Sequence, residues 1–292
     1  MNIGPHDGRV FYGPHVPYTI YGSNSGFTCF GQWMQDLRAL VAWPDHNWVF
    51  EEVGGERWLA KELQRPKWGL IEKNWFLFWD AAGEVYVHYD VAPTRSFAKI
   101  ELGDGSVGED LAPLSRVEDE KCWNALAPKP VQTLDMKQSV HQATNSLAIV
   151  LCRSDDITCK PEENTYIMHI FQHKYWAAFH GMYEPHVMLF HNKPPFALYG
   201  MTTTPMWIHG RGGPGEGKRK VQEYEKNFGR EWDQTEMLYV TSMNWREFGR
   251  NYTGWLDDVV MLGFGLEDEA SGLMDVMGAD LVKGLKLCAE VL

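Results

Sequence analysis

No apolar stretch of this chain approaches the roughly 20 residues that a membrane-crossing helix needs, and its first residues carry no hydrophobic leader of the signal-peptide kind. It contains no Gly-x-Ser-x-Gly elbow and no dinucleotide fingerprint, so nothing points to an elbow serine hydrolase or a nicotinamide or flavin enzyme. Histidines and cysteines never cluster at metal-ligand spacing. No metal and no other cofactor is therefore expected. Cations are scarce: 27 Lys and Arg face 39 Asp and Glu, for a net charge of -12. That excess argues against a nucleic-acid backbone or an anionic membrane as partner, and it leaves a neutral or mildly polar small molecule.

Cysteines are few: Cys29, Cys122, Cys152, Cys159 and Cys288. Cys152 and Cys159 flank the polar turn Arg153-Ser-Asp-Asp-Ile-Thr158, which suits a disulfide across a loop; if four cysteines pair, one stays free. Asn251-Tyr252-Thr253 is a glycosylation sequon. Together these features predict a secretory-pathway or extracellular protein whose leader is absent from this chain. The alternative is a cytosolic protein with reduced thiols.

Aromatic residues are abundant, with 13 Trp and 12 Tyr in 292 residues. A short apolar strand, a polar turn and a second strand recur in five places, over residues 10–21, 74–89, 146–173, 186–201 and 237–265. In the clearest copy, Asn74-Trp-Phe-Leu-Phe-Trp-Asp80 meets the turn Ala81-Ala82-Gly83 and returns as Glu84-Val-Tyr-Val-His-Tyr89. The repetition predicts an all-β fold, a five-bladed β-propeller forming one domain over residues 1–292. The chain enters its first blade abruptly, as though that blade were incomplete. Residues 101–138 read as a long surface connection, residues 210–220 as a flexible Gly-rich loop, and residues 215–230 as the start of an exposed helix. The apolar spacing of residues 274–288 predicts a short C-terminal helix.

Polar clusters recur at strand edges, where a propeller would aim them at its axis. They are Asp7 with Arg9, then Glu72-Lys73-Asn74-Trp75, then His141-Gln142-Ala-Thr144-Asn145, then Tyr183-Glu184-Pro185-His186, and finally Asp257-Asp258. Carboxylates sharing one narrow channel repel, so Asp7, Glu72 or Glu184 should include a raised pKa and a general acid. Arg9 and Lys73 are placed to hold an anionic oxygen, and His141 or His186 to relay a proton. Asn74, Trp75, Gln142, Asn145, Tyr183, Trp245 and Asp258 would complete the substrate contacts. Met182, Met188, Met201 and Met206 fall near Trp207 and would form an apolar wall.

At these clusters the chain resembles known families. Gly4-Pro-His-Asp7-Gly-Arg9 resembles the Gly-x-x-Asp-Pro-Arg loop of five-bladed propeller glycosidases and mannoside phosphorylases, with His6 and Gly8 as departures, and Glu72-Lys73-Asn74-Trp75 resembles a second motif of that group. The residues His141-Gln-Ala-Thr-Asn-Ser146, Tyr183-Glu-Pro185, Pro205-Met-Trp207, Thr241-Ser-Met-Asn-Trp245 and Asp257-Asp258 are similar to a set of secreted fungal propeller proteins. That set includes hetero-Diels-Alderases of tropolone sesquiterpenoid pathways. The resemblance implies Asp7 as the acid and Arg9 beside the substrate.

Three functions follow, in order. The first is a pericyclase that dehydrates a tropolone alcohol to a quinone methide and adds it across a humulene-type alkene. The second is a glycoside hydrolase or phosphorylase pairing Asp7 with Glu184 or Asp258. The third is a non-catalytic carbohydrate-binding propeller. A polar cavity with two carboxylates would favour sugar chemistry; one acid among apolar walls would favour cycloaddition.

Overall fold

The computed structural model describes residues 4–40, 59–130, 136–177, 180–216 and 234–291. Strand is the predominant regular structure among these residues, at 47% against 11% helix, and it is arranged in four sheets. The first sheet runs β1 (His6–Tyr12), β2 (Pro17–Ser23), β3 (Gly31–Asp36) and β4 (Lys61–Glu62) in that order. The second holds β5 (Phe76–Trp79), β6 (Val85–Asp90) and β7 (Ser96–Lys99). The third is built on β8 (Met136–Val150), β9 (Thr165–Ala177), β10 (His180–His191) and β11 (Leu198–Thr202). The last holds β12 (Leu238–Trp245), β14 (Val259–Leu266) and β15 (Ala270–Met277). Two short strands join the edges of the third sheet: β13 (Thr253–Trp255) lies parallel to β8, and β16 (Leu285–Leu287) lies antiparallel to β11.

All five hairpins form, as β1–β2, β5–β6, β8–β9, β10–β11 and β12–β14. They make four sheets among the described residues because β9 and β10 pair along their whole lengths, from His180↔Ala177 to His191↔Tyr166, and fuse two hairpins. The turn between β5 and β6 shows why such hairpins are locally encoded. Asp80 Oδ1 accepts from the backbone of both Ala82 and Glu84 at 2.9 Å, and Gly83 takes a φ of 84° that a glycine adopts freely.

β5 is buried along its whole length. Phe78 meets Phe190, Phe196 and Phe97 edge-on at 5.1, 5.2 and 6.1 Å, and Phe76 stacks between His88 and His169 at 4.7 and 3.9 Å. Such ring pairs contribute about 0.5–1.5 kcal/mol each beyond area burial, so this cluster anchors the second sheet on the third. In the interior β8 packs against both β5 and β12, and β12 against β1. The leading strand of each sheet therefore faces the others.

Several sequence expectations are corrected. The connection over 101–138 contains α1 (Arg116–Leu126), which a disulfide from Cys122 to Cys288 ties to the C-terminal region. Residues 274–288 form no continuous helix. They complete β15, turn through the four-residue α3 (Gly278–Leu281), following a short α2 (Pro161–Asn164) earlier in the chain, and return as β16. The alternating exposure of Leu273, Met274, Asp275, Val276 and Met277 has the period of a strand, and the Gly284 φ of 78° ends any helical path. The disulfide between Cys152 and Cys159 is present, and Cys29 is free and exposed. In the sequon, Asn251 Nδ2 donates to Pro14 O at 3.2 Å while Tyr252 is buried, which sets that asparagine into the fold. The helix expected over 215–230, beyond its first two residues, lies outside the described residues, as does the end of the Gly-rich loop. Among the described residues no helix is long and apolar enough to cross a membrane.

Candidate functional site

Three of the converging strands bulge near the same cavity. In β1 the register passes from His6↔Gly22 to Arg9↔Ile20, so Asp7 and Gly8 together oppose Tyr21. In β8 it passes from Gln142↔Phe171 to Ser146↔His169, leaving Ala143, Thr144 and Asn145 opposite Ile170. In β12 Thr241 is the extra residue between Val240 and Ser242. Bulges twist a strand and re-aim its side chains, which is why they gather beside binding sites. Asp7 at the first bulge has a φ of 53°, and Asn74 just before β5 has a φ of 63°; both are left-handed conformations that Asp and Asn tolerate better than most residues.

These strands enclose a cavity of about 290 Å³ lined by Asp7, Arg9, Lys73, Asn74, His141 and Tyr183, all expected from sequence. Gly8, Lys174, Met237, Tyr239, Thr241, Gly265 and Asp268 complete the lining. Three cations thus face two carboxylates in a chain that is strongly negative overall.

Arg9 is its most constrained member. It is buried, its Nε donates to Ala143 O of the β8 bulge at 2.5 Å, and its Nη2 donates to Asn74 Oδ1 at 2.7 Å and to the Tyr239 hydroxyl at 3.5 Å. Its Nη1 is buried with no partner. A buried guanidinium donor left unpaired costs free energy until an acceptor arrives.

Like charges meet here among the cations. Burial pushes the Lys174 ammonium down, Lys73 beside it pushes further, and Asp268 resists. Burial, with Lys174 and Lys73, lowers His141 to about 4, so its imidazole is neutral at pH 7; its Nε2 lies 2.8 Å from Ser139 Oγ. Burial raises Tyr183 to about 12, helped by Tyr239, Asp268 and Asp7, and burial also raises Tyr239. Both phenols remain protonated donors.

The other sequence candidates lie outside this lining. Glu72 accepts from Arg65 Nε at 2.9 Å and from the Gly69 backbone, while Trp75 is buried in the core with Arg65 5.8 Å above its ring. Gln142 is buried beneath the cavity, its Nε2 donating to Asn74 O at 2.9 Å. Asn145 clamps β8 to β12, donating to Met243 O at 2.8 Å and accepting from Met243 N at 2.9 Å. Burial raises the Glu184 carboxyl, and Arg211, 3.3 Å away, opposes that shift. Trp207 is exposed with Arg211 5.0 Å from its ring centre, Trp245 is buried and donates to Tyr252 O at 3.1 Å, and Asp258 accepts from Trp255 N at 2.8 Å. His186 is buried on Thr202 O at 2.9 Å.

Lys174, Tyr239 and Asp268 carried no motif. Lys174 enters only because the β9–β10 register sets it opposite Tyr183. Among the described residues no three of His, Cys, Asp and Glu converge as a metal site would require.

No protein-family profile matches this chain, and no curated protein does. Among solved structures it is similar to a β-1,2-mannobiose phosphorylase from Listeria innocua in complex with β-1,2-mannobiose, at 11% identity and a TM-score of 0.47, over 96% of this chain and 60% of that one. It is also similar to a GH62 hydrolase in complex with xylotriose, at 9% identity and a TM-score of 0.34, over 94% of this chain and 92% of that one. The chain spans about 60% of the phosphorylase's length. At these scores the likenesses decide neither activity nor substrate, and the function rests on the cavity's own chemistry.

Proposed function

We propose that this protein is a carbohydrate-active enzyme that cleaves a glycosidic bond by phosphorolysis, with Asp7 as the acid. The carrying observation is the meeting of Arg9, Lys73 and Lys174 beside Asp7, with the Arg9 Nη1 unpartnered. In this reading the sheets are blades of a five-bladed propeller and the cavity opens on its axis. Phosphate held by the three cations attacks the anomeric carbon and forms a new C–O bond. The glycosidic C–O bond breaks as Asp7 gives its proton to the leaving oxygen, and solvent reprotonates Asp7. Tyr183 donates to a sugar hydroxyl, while the Tyr239 hydroxyl, which donates to Gln142 O at 3.3 Å, holds Arg9 in place. Neutral His141 serves as an acceptor.

The cavity's polar lining and second carboxylate, Asp268, are what favour sugar chemistry over cycloaddition. The apolar wall that cycloaddition needs lies elsewhere: Met188 and Met201 are buried in the core, and Trp207 stands on Arg211. Glu184 and Asp258, the carboxylates expected to partner Asp7, are occupied by ion pairs outside the lining.

The test is incubation with manno- and xylo-disaccharides and aryl glycosides, with and without inorganic phosphate, read by mass spectrometry. A sugar phosphate formed only with phosphate, and lost in Asp7→Asn, is the expected result. Free sugar without phosphate would make the protein a hydrolase. Turnover of a tropolone alcohol with a humulene alcohol, and none of sugars, would overturn the carbohydrate reading.

A further inference from the structure

A second cavity, of about 150 Å³, lies between the loop before β7, α1 and Leu198 of β11. Its buried cation is Arg95, whose side chain is only 5% exposed. The guanidinium Nε donates to His88 Nε2 at 3.0 Å, and Nη1 donates to Asp119 Oδ2 at 2.9 Å and to Phe196 O at 2.6 Å. Nη2 is buried without a partner. Like Arg9, Arg95 is fixed by hydrogen bonds on two of its nitrogens, and its guanidinium also lies 4.5 Å from the ring centres of Phe97 and Phe190; its third nitrogen is a donor left for an acceptor oxygen.

The charge of this cavity differs from that of the first. Asp119 pairs with Arg95, and at the exposed rim the lining adds one cation, Arg116, whose ion partner is Asp110 at 3.8 Å, and one carboxylate, Glu120. With no net charge in the lining, an anion would have no counter-charge here, whereas a neutral molecule with hydroxyl groups would find a donor in Arg95 and an acceptor in Glu120. The volume suits one six-membered ring. Trp123, also in the lining, offers that ring a flat apolar wall. The wall is held in advance of binding: Cys122 bonds α1 to Cys288, and Asp119 Oδ1 accepts from Leu198 N at 2.7 Å.

The two cavities are joined by a chain of hydrogen bonds that runs from Arg95 through buried His88 and Gln142 to half-buried Asn74, where donors from the two ends meet on its backbone and side-chain oxygens. Because His88 Nε2 accepts from Arg95, the imidazole proton sits on Nδ1 and is donated to Gln142 Oε1. Gln142 Nε2 donates to Asn74 O at 2.9 Å, and Asn74 Oδ1 accepts from Arg9 Nη2 at 2.7 Å. An arginine with one unpartnered nitrogen stands at each end.

We propose that the cavity under α1 is a second binding site, for one neutral hydroxyl-rich six-membered ring, and that its occupancy is transmitted to Arg9 through His88, Gln142 and Asn74. The ring oxygen or a hydroxyl accepts from Arg95 Nη2, another hydroxyl donates to Glu120, and the apolar face rests on Trp123. Free monosaccharides and cyclitols share this chemistry.

The test is calorimetric titration of the full chain with D-mannose, D-xylose and myo-inositol separately, and with acetate as an anionic control. At least one ring should bind at millimolar concentration, equally well to Asp7→Asn, and at least tenfold more weakly to Asn124→Phe. Asn124 is exposed on α1, so the larger side chain closes the mouth without entering the core. Retained binding in Asp7→Asn separates this site from the first cavity and from the activity proposed for it. In ¹⁵N-labelled protein the side-chain amide signals of Gln142 and Asn74 should move as the ring saturates. No ring binding, ring binding unchanged by Asn124→Phe, or acetate binding that Asn124→Phe abolishes would overturn the site. Unmoved amide signals would overturn the transmission.

Discussion

Asn74 holds Arg9 across 65 residues of sequence: its Oδ1 accepts from Arg9 Nη2 at 2.7 Å while its own backbone takes a φ of 63°. One residue thus joins an unusual backbone conformation to the orientation of the cavity's buried cation. Replacement separates the two roles. Asn74→Gly keeps the backbone free to adopt the left-handed region and loses the bond, so it should cost about 1.5–3 kcal/mol, the usual range for a hydrogen bond to a charged group. Asn74→Ala should cost a further ~1–2 kcal/mol for the left-handed conformation. Urea unfolding with unchanged slope and shifted midpoints measures both. Equal midpoints for the two variants would show that the backbone conformation carries no cost here.

Asp7 offers a cleaner separation of chemistry from folding. It is exposed, and Asn accepts its φ of 53° as readily as Asp. Asp7→Asn should leave stability within about 0.5 kcal/mol, as for most surface substitutions. Turnover of the substrate found in the glycoside screen should fall roughly 10²–10⁴-fold, the usual range for loss of a general acid. A variant that unfolds earlier instead would assign Asp7 to the bulge rather than to catalysis.

The hairpins were legible because their determinants are local, as in the Asp80 and Gly83 turn chemistry between two apolar runs. Their grouping was not, since the union of two hairpins depends on β9–β10 pairing, which no motif marks. Part of the cavity was legible for a related reason. Asp7-Gly8-Arg9 and Lys73-Asn74 break strand alternation, and such breaks mark bulges and left-handed residues. Neighbouring residues within a cluster do not share a face, however, so Trp75 beside Asn74 enters the core. Tyr239 meets Arg9 across 230 residues, and only tertiary structure brings them together.

Buried histidines set the acid limit of stability. His169 on β9 is fully buried and stacked on Phe76, and neither ring nitrogen reaches a partner at hydrogen-bond geometry. Burial pushes it down to about 3; the Asn145 backbone pulls the other way, and Arg9 and Arg95 add smaller amounts to the fall. In the unfolded chain it titrates near 6.5. The unfolded state therefore binds the extra proton between about pH 6.5 and 3. Stability is fully present above that window and is lost as pH falls through it, by up to ~1.4 kcal/mol per pH unit for this group. His141, lowered to about 4, acts in the same direction. His169→Phe should flatten the slope, so that the variant gains stability relative to wild type at pH 5 compared with pH 7.5. Parallel denaturation curves at both pH values would assign the acid sensitivity elsewhere.

The two disulfides should differ in what their removal costs. Cys122–Cys288 closes a sequence separation of 166 residues and Cys152–Cys159 one of 7. Chain-entropy reasoning gives about 5 kcal/mol for the long closure and about 2 kcal/mol for the short one. Cys122→Ala should therefore lower the denaturation midpoint well below that of Cys152→Ala. It should also loosen α1, which carries Trp123 and Asp119 in the wall of the second cavity. Thiol titration supplies the control, because the folded, unreduced chain should expose one reactive thiol, Cys29. If Cys122→Ala and Cys152→Ala are equally destabilised, the unfolded chain already keeps its C-terminal region close to α1, and the long bridge constrains less than its loop length implies.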